Sequence, residues 1–175
     1  LSVHDSHTLS IMLHCIGDFE RISDHAINIM EAAQEMHNKK LTFSPKAEEE
    51  LKVFSRAVQD IVEKAYAVFR DQDEKLAQKV EPLEAVVDDL NQEVKKRHIR
   101  RLRKGKCTIE LGFILSDITT SLERVADHCS NIAVCVTQVR DDTYDTHGYL
   151  NSVKNEDSEI FRGLVLEAEE KYLLP

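Results

Sequence analysis

Residues 107–136 read CTIELGFILSDITTSLERVADHCSNIAVCV, and the apolar spacing in this stretch decides the fold. Leu111, Leu115, Ile118, Leu122, Val125, Cys129, Ile132 and Val136 recur at alternating steps of four and three. That alternation keeps one face of an α-helix apolar and is the seam of helices packed almost parallel. The helix it predicts follows Cys107-Thr108 and runs to about Arg140. Upstream, Leu76, Val80, Leu83, Val87, Leu90 and Val94 mark another helix, which stops at Gly105, a residue suited to helix termination. Pro82 lies inside that pattern, so a kink or an early break is expected near Val80.

Two further helices complete the pattern. One carries Leu51, Phe54, Val58, Ile61, Ala65 and Val68, with Ser44 as its N-cap, Pro45 in its first position, and an end near Asp71-Gln72-Asp73. The other runs from about Thr8 to Asn38, with its apolar face expected at Leu9, Met12, Ile16, Phe19, Ala26, Met30 and Ala33. Short connections between long helices imply antiparallel neighbours, hence an all-α, elongated antiparallel bundle. The pattern fails after Arg140. A bundle is therefore expected over 1–140, with residues 8–38 and 46–140 as its parts. Residues 141–175 form an extension with a short helix from Glu159 to Tyr172.

Composition agrees. Among 175 residues there are only 5 Gly and 3 Pro, and 31% are charged. Breakers are scarce and helix formers abundant. The net charge of -9 argues against a general nucleic-acid binder, which needs a net basic surface. Cys15, Cys107, Cys129 and Cys135 form no CxxC pair, and three of them fall inside apolar helical patterns. They read as reduced core thiols of an intracellular protein. No run of apolar residues is long enough to span a membrane, and no signal peptide is visible. The chain opens on Leu1 rather than Met and reads as a piece of a longer protein. The missing span therefore says nothing about the parent.

An internal repeat carries the chemistry. Residues 18–29 read DFERISDHAINI and residues 121–132 read SLERVADHCSNI, with six of twelve positions identical. The identities are mostly polar, so packing alone does not explain them. Glu20 and Asp24, like Glu123 and Asp127, are four residues apart and share a helix face. Like charges so placed weaken an isolated helix by roughly 0.2–0.5 kcal/mol, and a bound cation would offset this. His25 and His128 follow directly, as ligands or as donors behind the ligands. Glu84 and Asp88 form a third acidic pair, which would face Glu123 and Asp127 across an antiparallel helix pair. The alternative is an ordinary solvated face, with Arg21 and Arg124 each three residues before an Asp and able to pair with it.

With these residues in view, the chain resembles the PhoU family, built from repeated three-helix bundles with a Glu/Asp-x-x-x-Asp motif on the third helix of each repeat. Glu20-Arg21-Ile22-Ser23-Asp24-His25 and Glu123-Arg124-Val125-Ala126-Asp127-His128 match that motif. The resemblance implies metal ions, iron, zinc or another divalent cation in a cluster, held by Glu123, Asp127, Glu20 and Asp24, and the spacing adds Glu84 and Asp88 from the facing helix. His25, His128, Asn28, Asn131, Arg21 and Arg124 would stand behind those ligands. It implies regulation of phosphate uptake rather than catalysis. The ending around His147-Gly148-Tyr149-Leu150, Phe161 and Lys171-Tyr172-Leu173-Leu174-Pro175 is similar to the cytoplasmic tail of sodium/phosphate cotransporter-like proteins. That subtype implies a membrane transporter domain of the same parent chain as partner, on the cytoplasmic side of the cell membrane. A free-standing PhoU-type regulator and a metal-free structural adaptor are the alternatives. The first repeat is reduced to its motif helix, so its site needs ligands from elsewhere and its open seam favours a homodimer.

Enzyme classes find little support. A di-metal oxidase needs Glu-x-x-His on two helices, and no histidine has Glu three positions before it. No Ser-His-Asp pattern or phosphate-gripping Gly loop occurs. The basic run through Lys95, Lys96, Arg97, Arg100, Arg101, Arg103, Lys104 and Lys106 suits a helix C-terminus. It also suits contact with an anionic membrane surface.

Overall fold

A computed structural model describes residues 2–141 and 159–175. Helix α1 spans Val3–Lys39, α2 Pro45–Asp71, α3 Glu74–Ala77, α4 Val80–Arg103, α5 Ile109–Asp141 and α6 Glu159–Lys171. No strand occurs among the described residues, and no helix there is long and apolar enough to cross a membrane. The polar segment 142–158, including His147, lies outside the described residues.

Local chemistry sets the helix ends. Ser44 Oγ accepts from the Ala47 amide at 3.4 Å, and Pro45 follows in the first helical position. Asp73 Oδ1 accepts from the amides of Lys75 and Leu76, starting the single turn of α3. The expected break before Pro82 is there: α3 ends at Ala77 and α4 begins at Val80, placing Pro82 in a first turn that has no use for its missing N–H. Gly105 closes α4 at φ +62°. The Lys106 amide donates to the Arg101 carbonyl at 2.9 Å and the Gly105 amide to that of Leu102 at 3.0 Å. This paired closure uses the left-handed conformation that glycine adopts without steric cost.

Helix α5 is the centre of the bundle and touches α1, α2 and α4. Its expected seam is buried at every position but the half-buried Ile118, and Ile114, Ala126, Ala133 and Val134 are buried as well. A helix with neighbours on several sides needs apolar residues on more than one face. The main core joins Phe54, Ile61 and Val68 of α2 to Val80, Val87 and Val94 of α4 and to Leu115 and Cys129 of α5.

Helix α1 corrects the expectation. Its face toward α5 is Ile11, Cys15, Asp18, Ile22, His25, Ile29 and Ala32, still at steps of four and three. Leu9, Ile16 and Met30, expected in the seam, are instead exposed, as are Leu13 and Ile27. The buried stripe passes through an aspartate and a histidine, so a count of apolar residues selects the wrong face.

Helix α6 lies along α4. Tyr172 near its end is buried, and its hydroxyl donates to Asp60 Oδ2 at 2.7 Å. Lys171 reaches the same oxygen at 2.9 Å, and Lys64 pairs with Asp60 Oδ1.

Candidate metal centre and the paired motif helices

The two motif helices, α1 and α5, run antiparallel. Lys39 meets Glu110 at 2.7 Å near one end, and Cys15 packs with Ile132 toward the other. Between them the His25 and His128 rings stack, with centroids 5.7 Å apart and planes 23° apart. The two copies of the repeat thus lie side by side and point in opposite directions. His128 Nδ1 is 2.9 Å from Asp18 Oδ1, and Asp18 is only 7% exposed. Burial, then the neighbouring His128 and Arg124, pushes the His25 imidazole below its ordinary pKa. Its Nδ1 is buried without a hydrogen-bond partner among the described residues.

On the flank toward α4, three carboxylates converge. Glu84 and Asp88, one turn apart on α4, and Asp127 of α5 place ligand oxygens within 4.8 Å of one another, each side chain half-buried. One turn away, the Ser130 hydroxyl donates to Glu81, a carboxylate only 5% exposed. An all-oxygen donor set at this separation fits a hard divalent cation, which takes carboxylate oxygens from several sides. No histidine or cysteine joins the group among the described residues. Asp127 also accepts from Arg124 at 3.0 Å, a pair in which the arginine is 56% exposed. The ordinary ion pair and the carboxylate cluster share one side chain.

The other expected ligands stand apart. Glu123 is half-buried one turn before Asp127, but its carboxylate is not among the three that converge. Glu20 and Asp24 are exposed on α1 and meet no third ligand among the described residues. Asn28, Asn131 and Arg21 are exposed too, with Arg21 and Asn131 lining a shallow groove beside Asp18 and Cys135. Of the residues expected behind the ligands, only His25 and His128 are drawn between the helices.

Among the described residues, three buried carboxylates escape the sequence reading: Asp18, Glu81 and Glu50. Glu50 is 2% exposed under Arg97 and Arg101. A signal existed for Asp18, because Ile11, Asp18, Ile22 and Ile29 share one face. Glu81 lies in an acid-rich stretch and gave none.

Comparison with known proteins agrees with this architecture. The PhoU domain model matches residues 51–136, which comprise most of α2, all of α3 and α4, and most of α5 including its motif. The chain is 30% identical over 116 residues to the phosphate-specific transport system accessory protein PhoU homolog 1 of Thermotoga maritima. That alignment covers 66% of this chain and 49% of the relative, so the chain spans about half the length of the curated protein it matches. No solved structure matches. Motif, helical architecture and both similarities agree that residues 51–136 form a PhoU-like domain.

Proposed function

We propose that this chain is a regulatory domain of phosphate transport that binds a divalent or iron-type cation through Glu84, Asp88 and Asp127. The supporting observation is the convergence of those three carboxylates from two helices. Three anionic oxygens so close repel one another, and a cation removes that repulsion. Its charge, not a reaction, is the output: the cation draws α4 and α5 together beneath the α1 interface. The similarity to a phosphate-transport accessory protein gives the direction of the reading.

In its finer form, the domain sits on the cytoplasmic side of a membrane and acts on a sodium/phosphate cotransporter-like domain of the same parent protein. A free-standing PhoU-type regulator fits the same similarity equally well. The exposed row Leu9, Leu13, Ile16, Ile27 and Met30 on α1 supplies the partner surface, and a second copy of this chain is its occupant in the isolated domain.

The test is calorimetric titration of tag-free protein with Mn²⁺, Zn²⁺ and Fe²⁺, beside the Glu84→Gln/Asp88→Asn/Asp127→Asn variant. Saturable binding that the variant loses supports the centre. Equal binding by both proteins removes it.

A further inference from the structure

We propose that the cleft at the Gly105 end of the bundle binds a tetrahedral oxyanion, a phosphate group either free or carried on a lipid headgroup. The cleft lies where α2 begins, α4 ends and α5 begins. It is lined by Thr42, Ser44, His98, Arg101, Lys106 and Cys107 and has a volume of ≈ 250 Å³. It is separate from the carboxylate centre and does not rest on the role proposed for that centre.

Its buried donors lack acceptors. Arg101 spends one edge on Glu50, with Nη1 3.0 Å from Oε1 and Nη2 2.8 Å from Oε2. Its Nε is buried with no hydrogen-bond partner among the described residues. His98 is 4% exposed and lines the cleft, and its Nδ1 is likewise buried and unpartnered. Cys107 Sγ lies 3.6 Å from His98 Nε2. Burial pushes the Cys107 thiol up, and burial together with Arg101 pushes the His98 imidazole down, against the opposing pull of Glu50. A thiol S–H donated to Nε2 leaves the ring proton on Nδ1, which makes Nδ1 a donor. Buried donors without acceptors are rare in folded proteins because leaving them unmet is costly. The unprotonated oxygens of a phosphate group supply such acceptors.

The surrounding charge favours the same ligand. Lys106 makes no ion pair among the described residues, and Arg100, Arg103 and Lys104 stand beside it in a chain of net charge -9. The positive ends of α2 and α5 open here. The carboxyl end of α4 opposes them, but three arginines lie in its last turn. Ser44 Oγ accepts from the Ala47 amide, which leaves its own O–H to donate.

Cys107 is a built-in reporter. Iodoacetamide labelling of the full chain, read by mass spectrometry at Cys107 with Cys135 as internal reference, tests the proposal. Inorganic phosphate is expected to slow Cys107 labelling about fivefold, saturably and without effect at Cys135. Sodium chloride at equal ionic strength is expected to leave it unchanged. Lys106→Gln, which keeps the buried Arg101–Glu50 pair, should raise the half-protecting phosphate concentration about threefold. A second arm uses phosphatidylcholine vesicles with and without phosphatidic acid. Protection by free phosphate, or only by the phosphatidic acid vesicles, identifies the source and supports the site. Protection by neither, equal protection by chloride, or protection indifferent to Lys106→Gln overturns it.

Discussion

Asp18 Oδ1 and His128 Nδ1 lie 2.9 Å apart, joining a helix near the start of the chain to one 110 residues later. Both side chains are nearly buried, at 9% and 12% exposure. Asp18→Ala leaves the imidazole without its partner and should cost about 1–3 kcal/mol of stability, seen as a lower urea midpoint with unchanged slope. Asp24→Ala, on the exposed side of the same helix, should change the midpoint by less than about 0.5 kcal/mol.

Arg124 competes for the carboxylate that faces α4. Its pair with Asp127 is largely exposed and worth about 0.2–1 kcal/mol. Arg124→Gln should therefore tighten Mn²⁺ binding about two- to fivefold in a calorimetric titration. Weaker binding would show that the arginine supports the centre instead of competing for it.

Asp60 sets an acid limit on the docking of α6. Burial raises its pKa, but hydrogen bonds from Lys64, Tyr172 and Lys171 outweigh that and hold it at about 2. A carboxylate whose pKa falls on folding stabilises the native state above its unfolded value, and that contribution fades as pH drops toward the folded one. The contribution is about 2 kcal/mol, present at neutral pH and lost between about pH 4 and pH 2. Hydrogen exchange across 159–175 should accelerate in that window, whereas Asp60→Asn should show fast exchange already at pH 7.

The open row on α1 predicts the oligomeric state. Light scattering of the isolated chain should report a dimer. Ile16→Lys, at a position 56% exposed, should give a monomer with an unchanged helical circular dichroism spectrum. A wild-type monomer would remove α1 as the pairing surface.

Much of the fold is legible in the chain because its local signals agree with one another. Ser44-Pro45, Pro82 and Gly105 each mark a boundary through a backbone property that no tertiary contact overrides. The seam of α5 is equally plain, being apolar at each step. The face of α1 is not legible because helix pairing there places the buried Asp18 and the half-buried His25 among aliphatic residues. Only knowledge of the partner, His128, shows that Asp18 is hydrogen-bonded there and that the His25 ring is stacked. The candidate centre follows the same division. The spacing of Glu84, Asp88 and Asp127 places each on its helix, and antiparallel packing was enough to bring them together. Which of Glu123 and Asp127 reaches across depends on how α5 is turned, and periodicity does not fix that to within one residue.

Asp127 and His128 are consecutive residues, yet one addresses the acids of α4 and the other the buried aspartate of α1. Successive side chains on a helix are about 100° apart, so α5 acts as an axle gripped from two sides. A small roll that draws one residue closer to its neighbour must swing the other sideways. A roll of α5 caused at one flank would therefore displace the group that faces the other, with no hinge or loop needed to carry it.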